Sequence, residues 1–261
     1  MGHIISFGMG KGGVGKTSTC AIISDLLANA GYKVLAIDFD SQGNLTQMIT
    51  RKSLFDFEER TILEALKEKN ALPYIHAISD NFHLIPADDF LAYLSKYIYR
   101  DYSGNPMTLL AETIQPLKDA YDFITIDLPP NLGDHTLNGL AASDFSIAVF
   151  QPEPFCYDGL LRYEETVELV QEQINQNMNF LGVIVSMMDS IATIDEAIYQ
   201  KACKQFGEKM FTTVIKRRVR IKEFSITGIQ KAVTRDQATL QPYISLVKEL
   251  LDRVKVKAKA I

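Results

Sequence analysis

Residues 10–17 read Gly-Lys-Gly-Gly-Val-Gly-Lys-Thr, which fits G-x-x-x-x-G-K-[ST], the pattern of loops that wrap around nucleotide phosphates. The strand-like apolar stretch Ile4–Phe7 precedes this loop, and the helix-like stretch 18–30 follows it. Glycines allow backbone amides to curl toward an anion, and the positive end of the helix dipole strengthens the attraction. The sequence therefore predicts a phosphate-binding loop between a strand and a helix.

The chemistry of such loops assigns roles to individual residues. Lys16 is expected to reach the β- and γ-phosphates, and the Thr17 hydroxyl is expected to ligate Mg²⁺. Further nucleotide contacts are predicted for Gly12, Gly13, Val14, Gly15 and Ser18. A glycine turn without a ligand is the alternative, but the flanking strand and helix favour the binding loop.

Short apolar segments alternate with helical patterns along the chain. Strands are predicted at 4–7, 33–38, 82–85, 121–127, 145–150, 180–186 and 211–215. Helices are predicted at 18–30, 61–69, 88–97, 106–119, 158–176 and 193–206. This alternation predicts an α/β fold, a mostly parallel twisted sheet with helices on both faces. Because no linker or repeat interrupts residues 1–261, we expect a single domain.

Carboxylates follow two of the predicted strands. Asp38 and Asp40 come at the end of the second strand, and Asp127 ends the fourth. Ligands of parallel sheets bind at the carboxyl ends of the strands. We therefore expect these carboxylates to lie beside the phosphate-binding loop.

The composition is that of an ordinary folded protein, with 47% hydrophobic and 23% charged residues and a net charge of −5 over 261 residues. This acidic balance argues mildly against nucleic-acid binding by the surface as a whole.

No apolar run reaches the roughly 18 residues of a transmembrane helix, and the N-terminus lacks a secretory-signal pattern. The loop begins so early that we expect no preceding DNA-reading domain. Cys20, Cys156 and Cys203 are widely spaced, so neither a zinc nor an iron–sulfur site is predicted.

Lys11 distinguishes this loop from most phosphate-binding loops. The stretch Lys11–Thr17 resembles the deviant Walker A loop of the ParA/MinD superfamily of ATPases. The resemblance implies that the ligands are ATP and Mg²⁺, and that ATP is sandwiched in a homodimer in which Lys11 reaches the partner's phosphates. Lys11 and Lys16 are thus both predicted to be catalytic. Met9-Gly10 replaces the Asn-Gln that is usual in ParA proteins, and this difference lies outside the residues expected to contact the phosphates.

The stretch 38–44, Asp-Phe-Asp-Ser-Gln-Gly-Asn, is similar to the D-x-D-x-Q-G-N of ParA-like proteins. The similarity implies that Asp40 is catalytic and orients the attacking water, and that Asp38 supports either the Mg²⁺ shell or the loop. A strand-to-helix turn capped by Asn44 is the alternative, and for Asn44 both interpretations can hold.

Asp127 is followed by Leu-Pro-Pro, which resembles the D-x-P-P of the family. The resemblance implies that Asp127 holds Mg²⁺, directly or through water, and that residues 131–135 form a switch that senses the γ-phosphate. A plain strand end with a proline turn is the alternative. The predicted metal-binding residues are Thr17, Asp38 and Asp127.

Two stretches resemble those that border adenine in the family, Met187-Met188 and Lys216-Arg217. We therefore predict that Met188 and Arg217 contact the nucleotide, although Lys216 stands where a proline is usual. Residues 151–155 also resemble ParA proteins, where this loop lies beside the nucleotide and the dimer face.

The segment 216–222 holds five basic residues in seven, the densest positive patch of this acidic chain. In small ParA proteins, arginines in corresponding stretches help bind DNA without sequence preference. We predict DNA binding by Arg217, Arg218, Arg220 and Lys222. A solvated charged loop is the alternative.

These observations together favour a small ParA-type partition ATPase, in the cytoplasm and associated with the nucleoid. The resemblance implies slow ATP hydrolysis, nonspecific binding to double-stranded DNA and stimulation by a ParB-like centromere-binding protein, with no membrane partner. A MinD-like regulator that cycles on membranes is the alternative, in which the apolar face of the helix from Leu240 onward lies on the membrane surface. An interaction switch controlling replication or conjugation also stays open.

Overall fold

The computed structural model describes residues 2–189, 192–228, 234–256 and 259. One sheet is formed by the strands β1 (His3–Gly8), β2 (Val34–Asp38), β3 (His76–Ser79), β4 (Phe82–Ile85), β5 (Phe123–Asp127), β6 (Phe145–Phe150), β7 (Asn179–Met188) and β8 (Met210–Lys216). Their spatial order is β3-β4-β2-β5-β1-β6-β7-β8.

All neighbouring strands are parallel except β3 and β4, which are antiparallel. The predicted fold class is therefore confirmed. The edge strand β3 was not predicted, since most of its side chains are exposed and it contains no buried apolar run. A half-exposed strand of this length carries little periodicity.

The α-helices among the described residues are α1 (Lys16–Asn29), α2 (Asn44–Thr50), α3 (Ile62–Glu68), α4 (Leu94–Arg100), α5 (Leu109–Ile114), α6 (Asp134–Ala141), α7 (Pro154–Gln173), α8 (Thr193–Phe206), α9 (Val219–Thr227) and α10 (Thr234–Arg253). Short 3-10 turns cover Leu54–Phe57, Leu72–Tyr74, Asp89–Tyr93, Gln115–Leu117 and Gly207–Lys209. The sequence did not predict α6 or α9 as helices.

Two apolar cores lie on opposite faces of the sheet. Ile4 belongs to the core that α3 to α8 cover, whereas Ile5 belongs to the core that α1, α2, α9 and α10 cover. This alternation arises because successive side chains of a strand point to opposite faces. Both faces are therefore covered, as a parallel sheet requires.

The last long helix, α10, packs on the sheet. Its apolar residues Tyr243, Val247, Leu250 and Leu251 are all buried in the second core. The packed interpretation is confirmed and the membrane-surface interpretation of this apolar face is wrong, because β8 and α1 already cover it. Among the described residues, no helix combines the length and the apolar character needed to span a bilayer.

Candidate nucleotide-binding site

The carboxyl edge of the central strands brings the predicted groups together. The phosphate-binding loop connects β1 to α1, and β5 lies between β1 and β2. Asp127 is in register with Phe7 of β1 on one side and with Asp38 of β2 on the other. The loop, Asp38 and Asp127 thus lie close together, as expected from their positions at the carboxyl ends of the strands.

The loop backbone is shaped by two glycines in the left-handed region. Gly13 has φ 78° and Gly15 has φ 85°, a region that side-chain-bearing residues rarely adopt. Gly15 caps α1 without any side-chain hydrogen bond, and the first turn of α1 carries no acidic residue. The amide groups at this helix end are therefore left to an external anion. Val14 is buried, and its carbonyl oxygen accepts a hydrogen bond from Ser186 of β7, which fixes the loop to the sheet.

The two lysines of the loop differ in their surroundings. Lys16 is only 6% exposed, and its Nζ donates to the carbonyl oxygen of Lys11 at 3.3 Å. Burial lowers the pKa of Lys16, while the nearby charges of Asp127 and Asp40 act in the opposite direction. The Lys11 side chain, by contrast, is exposed at the rim of the loop. One lysine is therefore held inside the site and the other faces outward.

Asp127 is the most unusual group of the site. It is 1% exposed, and neither of its carboxylate oxygens has a hydrogen-bond partner. Burial, followed by the charge of Asp38, raises the pKa of Asp127 to about 8, while the neighbouring Thr17 hydroxyl and the charge of Lys16 act in the opposite direction. Buried polar atoms nearly always have a partner, and carboxylate oxygens are preferred ligands of Mg²⁺. A divalent cation therefore fits beside Asp127, with the Thr17 hydroxyl as the further predicted ligand.

Asp38 has different surroundings. Its Oδ2 accepts hydrogen bonds from the Thr46 amide at 2.8 Å and the Thr46 hydroxyl at 2.7 Å, and its Oδ1 accepts from the Asp40 amide at 3.3 Å. Burial raises the pKa of Asp38 to about 6. Of the two roles predicted for Asp38, these bonds favour support of the loop, since they tie β2 to α2.

The turn after β2 holds Asp40 and leads into α2. Asp40 is 9% exposed, and its Oδ1 accepts from the Gln42 amide at 3.0 Å. The alternative interpretation of Asn44 as a helix cap is wrong, because Gly43, with φ 61°, occupies the cap position. Asn44 instead lines the cleft beside the loop.

A cleft of about 480 Å³ opens over the loop. It is lined by Gly13, Gly15, Lys16, Thr17, Ser18, Asn44, Gln47, Met48, Met187, Ile221 and Lys222. Sequence reasoning missed Gln47, Met48 and Ile221 as lining residues. Helical spacing places Gln47 one turn after Asn44, and this signal was available in the sequence.

The structure places Met188 differently from the predicted contact beside adenine. Met187 takes a left-handed backbone conformation with φ 52° and lines the cleft. Met188 is buried in the core instead, and its carbonyl oxygen accepts a hydrogen bond from the Arg217 amide at 3.2 Å. The unusual φ breaks the alternation of the strand, so the cleft residue is Met187. Arg217 lines a small adjoining cavity of about 40 Å³ and pairs with Glu153 at 3.8 Å.

The basic segment 216–222 spans the end of β8 and the start of α9, so it is not a loop throughout. Arg218 is exposed, whereas Lys222 lines the nucleotide cleft. The Arg220 side chain is only 12% exposed and binds Asp236 of α10 and Glu223. These ion pairs occupy the Arg220 guanidinium, so the geometry disfavours its predicted role as a DNA contact.

The chain is similar to several known proteins. A family model described as an AAA domain matches residues 2–180. The chromosome-partitioning ATPase Soj of Thermus thermophilus is 33% identical over 94% of this chain and 93% of its own length. The sporulation initiation inhibitor protein Soj of Bacillus subtilis is 32% identical over 96% of this chain and 98% of its own. A cobyrinic acid a,c-diamide synthase from Mycobacterium smegmatis, solved with ADP and magnesium, is 25% identical, has a TM-score of 0.84, and aligns over 99% of this chain and 98% of its own.

Proposed function

The chain belongs to the ParA–Soj family of ATPases, and we propose that it acts as a partition ATPase. In this proposal it binds Mg-ATP, forms a sandwich dimer and binds double-stranded DNA without sequence preference. It hydrolyses ATP slowly until a ParB-like partner accelerates the reaction. Its place would be the cytoplasm, on the nucleoid.

The buried, unpartnered carboxylate of Asp127 is the observation that carries the nucleotide part of the proposal. Thr17 and Asp127 would hold Mg²⁺, and the loop amides together with Lys16 would bind the phosphates. When bound, the ion neutralises charge on the phosphate oxygens. Asp40, held by the Gln42 amide, would orient water for attack.

The proposed dimer rests on what surrounds the loop. Lys11 is exposed there. Helix α7 packs directly on the loop: a β-carbon added at Gly159 of α7 would lie 3.7 Å from the Lys11 Cβ. Phe155, in the first turn of α7, is 80% exposed. A large exposed aromatic side chain beside an outward-facing lysine suits contact with a second copy of the chain.

DNA binding would involve Arg217 and Arg218, which are both exposed at the start of the α9 segment. Contacts of this kind are made to phosphates, so they are independent of sequence and weaken with salt. Because α9 contributes Ile221 and Lys222 to the nucleotide cleft and begins directly after Arg218, a nucleotide there would contact the helix that follows the two exposed arginines.

The decisive experiment measures duplex DNA binding with ATP, with ADP and without nucleotide, at low and moderate salt. We expect tight, salt-sensitive binding only with ATP. Equal affinity in the three states would contradict the proposed switch. Binding to anionic liposomes in place of DNA would favour the MinD-like alternative.

A further inference from the structure

A second depression, here called the aromatic groove, lies away from the nucleotide cleft. It has a volume of about 380 Å³ and is formed by the loop before α3, by α3, by the 3-10 turn Asp89–Tyr93 and by α4. It shares no lining residue with the nucleotide cleft. The groove is therefore a separate surface of the protein.

Two aromatic side chains dominate its rim. Phe90 is 52% exposed and Tyr93 is 58% exposed, with their rings stacked at a centroid distance of 6.4 Å. Leu63, which is buried, also lines the groove. Exposed aromatic side chains at a concave site are typical of surfaces that anchor a partner's apolar side chains.

The charges of the groove favour a basic partner. Its lining holds four carboxylates, Glu58, Glu59, Glu64 and Asp101, against two lysines. Lys67 pairs with Glu64 at 3.5 Å, and Asp101 pairs with Arg100 at 3.8 Å, so Glu58 and Glu59 carry the remaining negative charge, against Lys96. Glu58 and Glu59 are both exposed, so they are accessible to a cation from outside.

The aromatic groove is also connected to the segment predicted to sense the γ-phosphate. The Tyr99 hydroxyl of α4 donates to Asp134 at 2.8 Å, and His135 Nε2 donates to the carbonyl oxygen of Leu91 at 3.0 Å. Asp134 and His135 begin α6, shortly after Asp127. The 3-10 turn and α4, two walls of the groove, are thus each hydrogen-bonded to the switch segment.

We propose that the aromatic groove binds a basic peptide segment of a partner protein, which packs an aliphatic side chain against Phe90 and Tyr93 and places arginine or lysine on Glu58 and Glu59. Through Tyr99–Asp134 and His135–Leu91, occupation of the groove is coupled to the switch segment. The binding part is independent of the proposed partition function, whereas the coupling part rests on the proposed ATP site.

The test uses the full chain and a short labelled peptide that alternates arginine and leucine, with fluorescence anisotropy as the readout. We expect saturable binding that weakens about tenfold in Phe90→Ala and in the double variant Glu58→Lys/Glu59→Lys. The matched control is Glu168→Lys/Glu172→Lys on α7, which changes the net charge equally at exposed positions outside the groove. Its affinity should stay within about twofold of the parent protein, since the long-range effect of surface charge is screened.

Three outcomes would overturn the binding part. They are equal weakening by both charge reversals, equal affinity for a peptide alternating glutamate and leucine, and concentration-dependent self-association that Phe90→Ala abolishes.

For the coupling, peptide affinity is compared with and without Mg-ATP, and Tyr99→Phe should diminish any difference. No difference in the parent protein would overturn the coupling. ATP binding is measured on every variant, so a failed ATP site is distinguished from a failed groove.

Discussion

Arg220 on α9 and Asp236 on α10 form a two-point ion pair, with Nε to Oδ1 at 2.6 Å and Nη2 to Oδ2 at 3.0 Å. The Asp236 side chain is completely buried, and the Arg220 guanidinium compensates its charge. A planar guanidinium matches a carboxylate in this geometry better than an ammonium group does. The pair therefore joins α9, which follows the exposed Arg217 and Arg218, to α10.

We predict that Arg220→Ala lowers the melting temperature by several degrees, because it leaves Asp236 buried without its bidentate partner. Arg220→Lys should recover only part of this loss. The matched control is Arg218→Ala, which should leave the melting temperature unchanged and weaken DNA binding. Thermal unfolding and DNA binding of the three variants check this; unchanged stability in Arg220→Ala would show that the pair is not structural.

For Asp127→Asn, we expect higher stability of the nucleotide-free protein and loss of Mg²⁺-dependent nucleotide binding. Burial raises the pKa of Asp127 to about 8, so the folded state favours the protonated carboxyl and loses stability as the pH rises from the unfolded value of 3.8 through 8. The stability advantage of the variant should therefore grow between pH 6 and pH 9. Melting temperatures across this range, with and without Mg-ATP, test the expectation, and a variant less stable than the parent at pH 9 would contradict it.

Asp40→Ala should preserve ATP binding and reduce turnover by about a hundredfold or more, the usual effect of losing a group that positions the reacting water. Asp40→Asn retains an oxygen that can accept from the Gln42 amide, so it separates the hydrogen bond from the charge. Calorimetry and single-turnover hydrolysis are the measurements. Normal hydrolysis by the alanine variant would remove Asp40 from the catalytic set.

Lys222→Ala is expected to weaken ATP binding about fivefold, since its side chain lines the nucleotide cleft and a charged hydrogen bond contributes roughly 1 kcal/mol or more. Lys248→Ala, at an exposed lysine of α10 outside the cleft, serves as the control and should leave ATP affinity unchanged. Nucleotide titrations of both variants decide the matter. Equal effects of the two substitutions would indicate a general charge effect.

Much of the nucleotide site was predictable from the sequence. The loop 10–17, the apolar strands and the carboxylates at their ends depend on spacing within a few residues, which local backbone geometry governs. Since parallel strands end at a common edge, the meeting of Asp127 with the loop followed directly from the order of strands and helices.

Other features were decided only by tertiary structure. The choice between Met187 and Met188 depended on one left-handed residue, and the role of Arg220 depended on Asp236 in another helix. Such contacts join positions whose separation in the chain carries no periodic signal, so they arise only when the packed helices bring the side chains together. The sequence alone thus determined where the loop and the carboxylates proposed to bind phosphates and a metal ion lie, and the fold determined which charged side chains remain exposed for other partners.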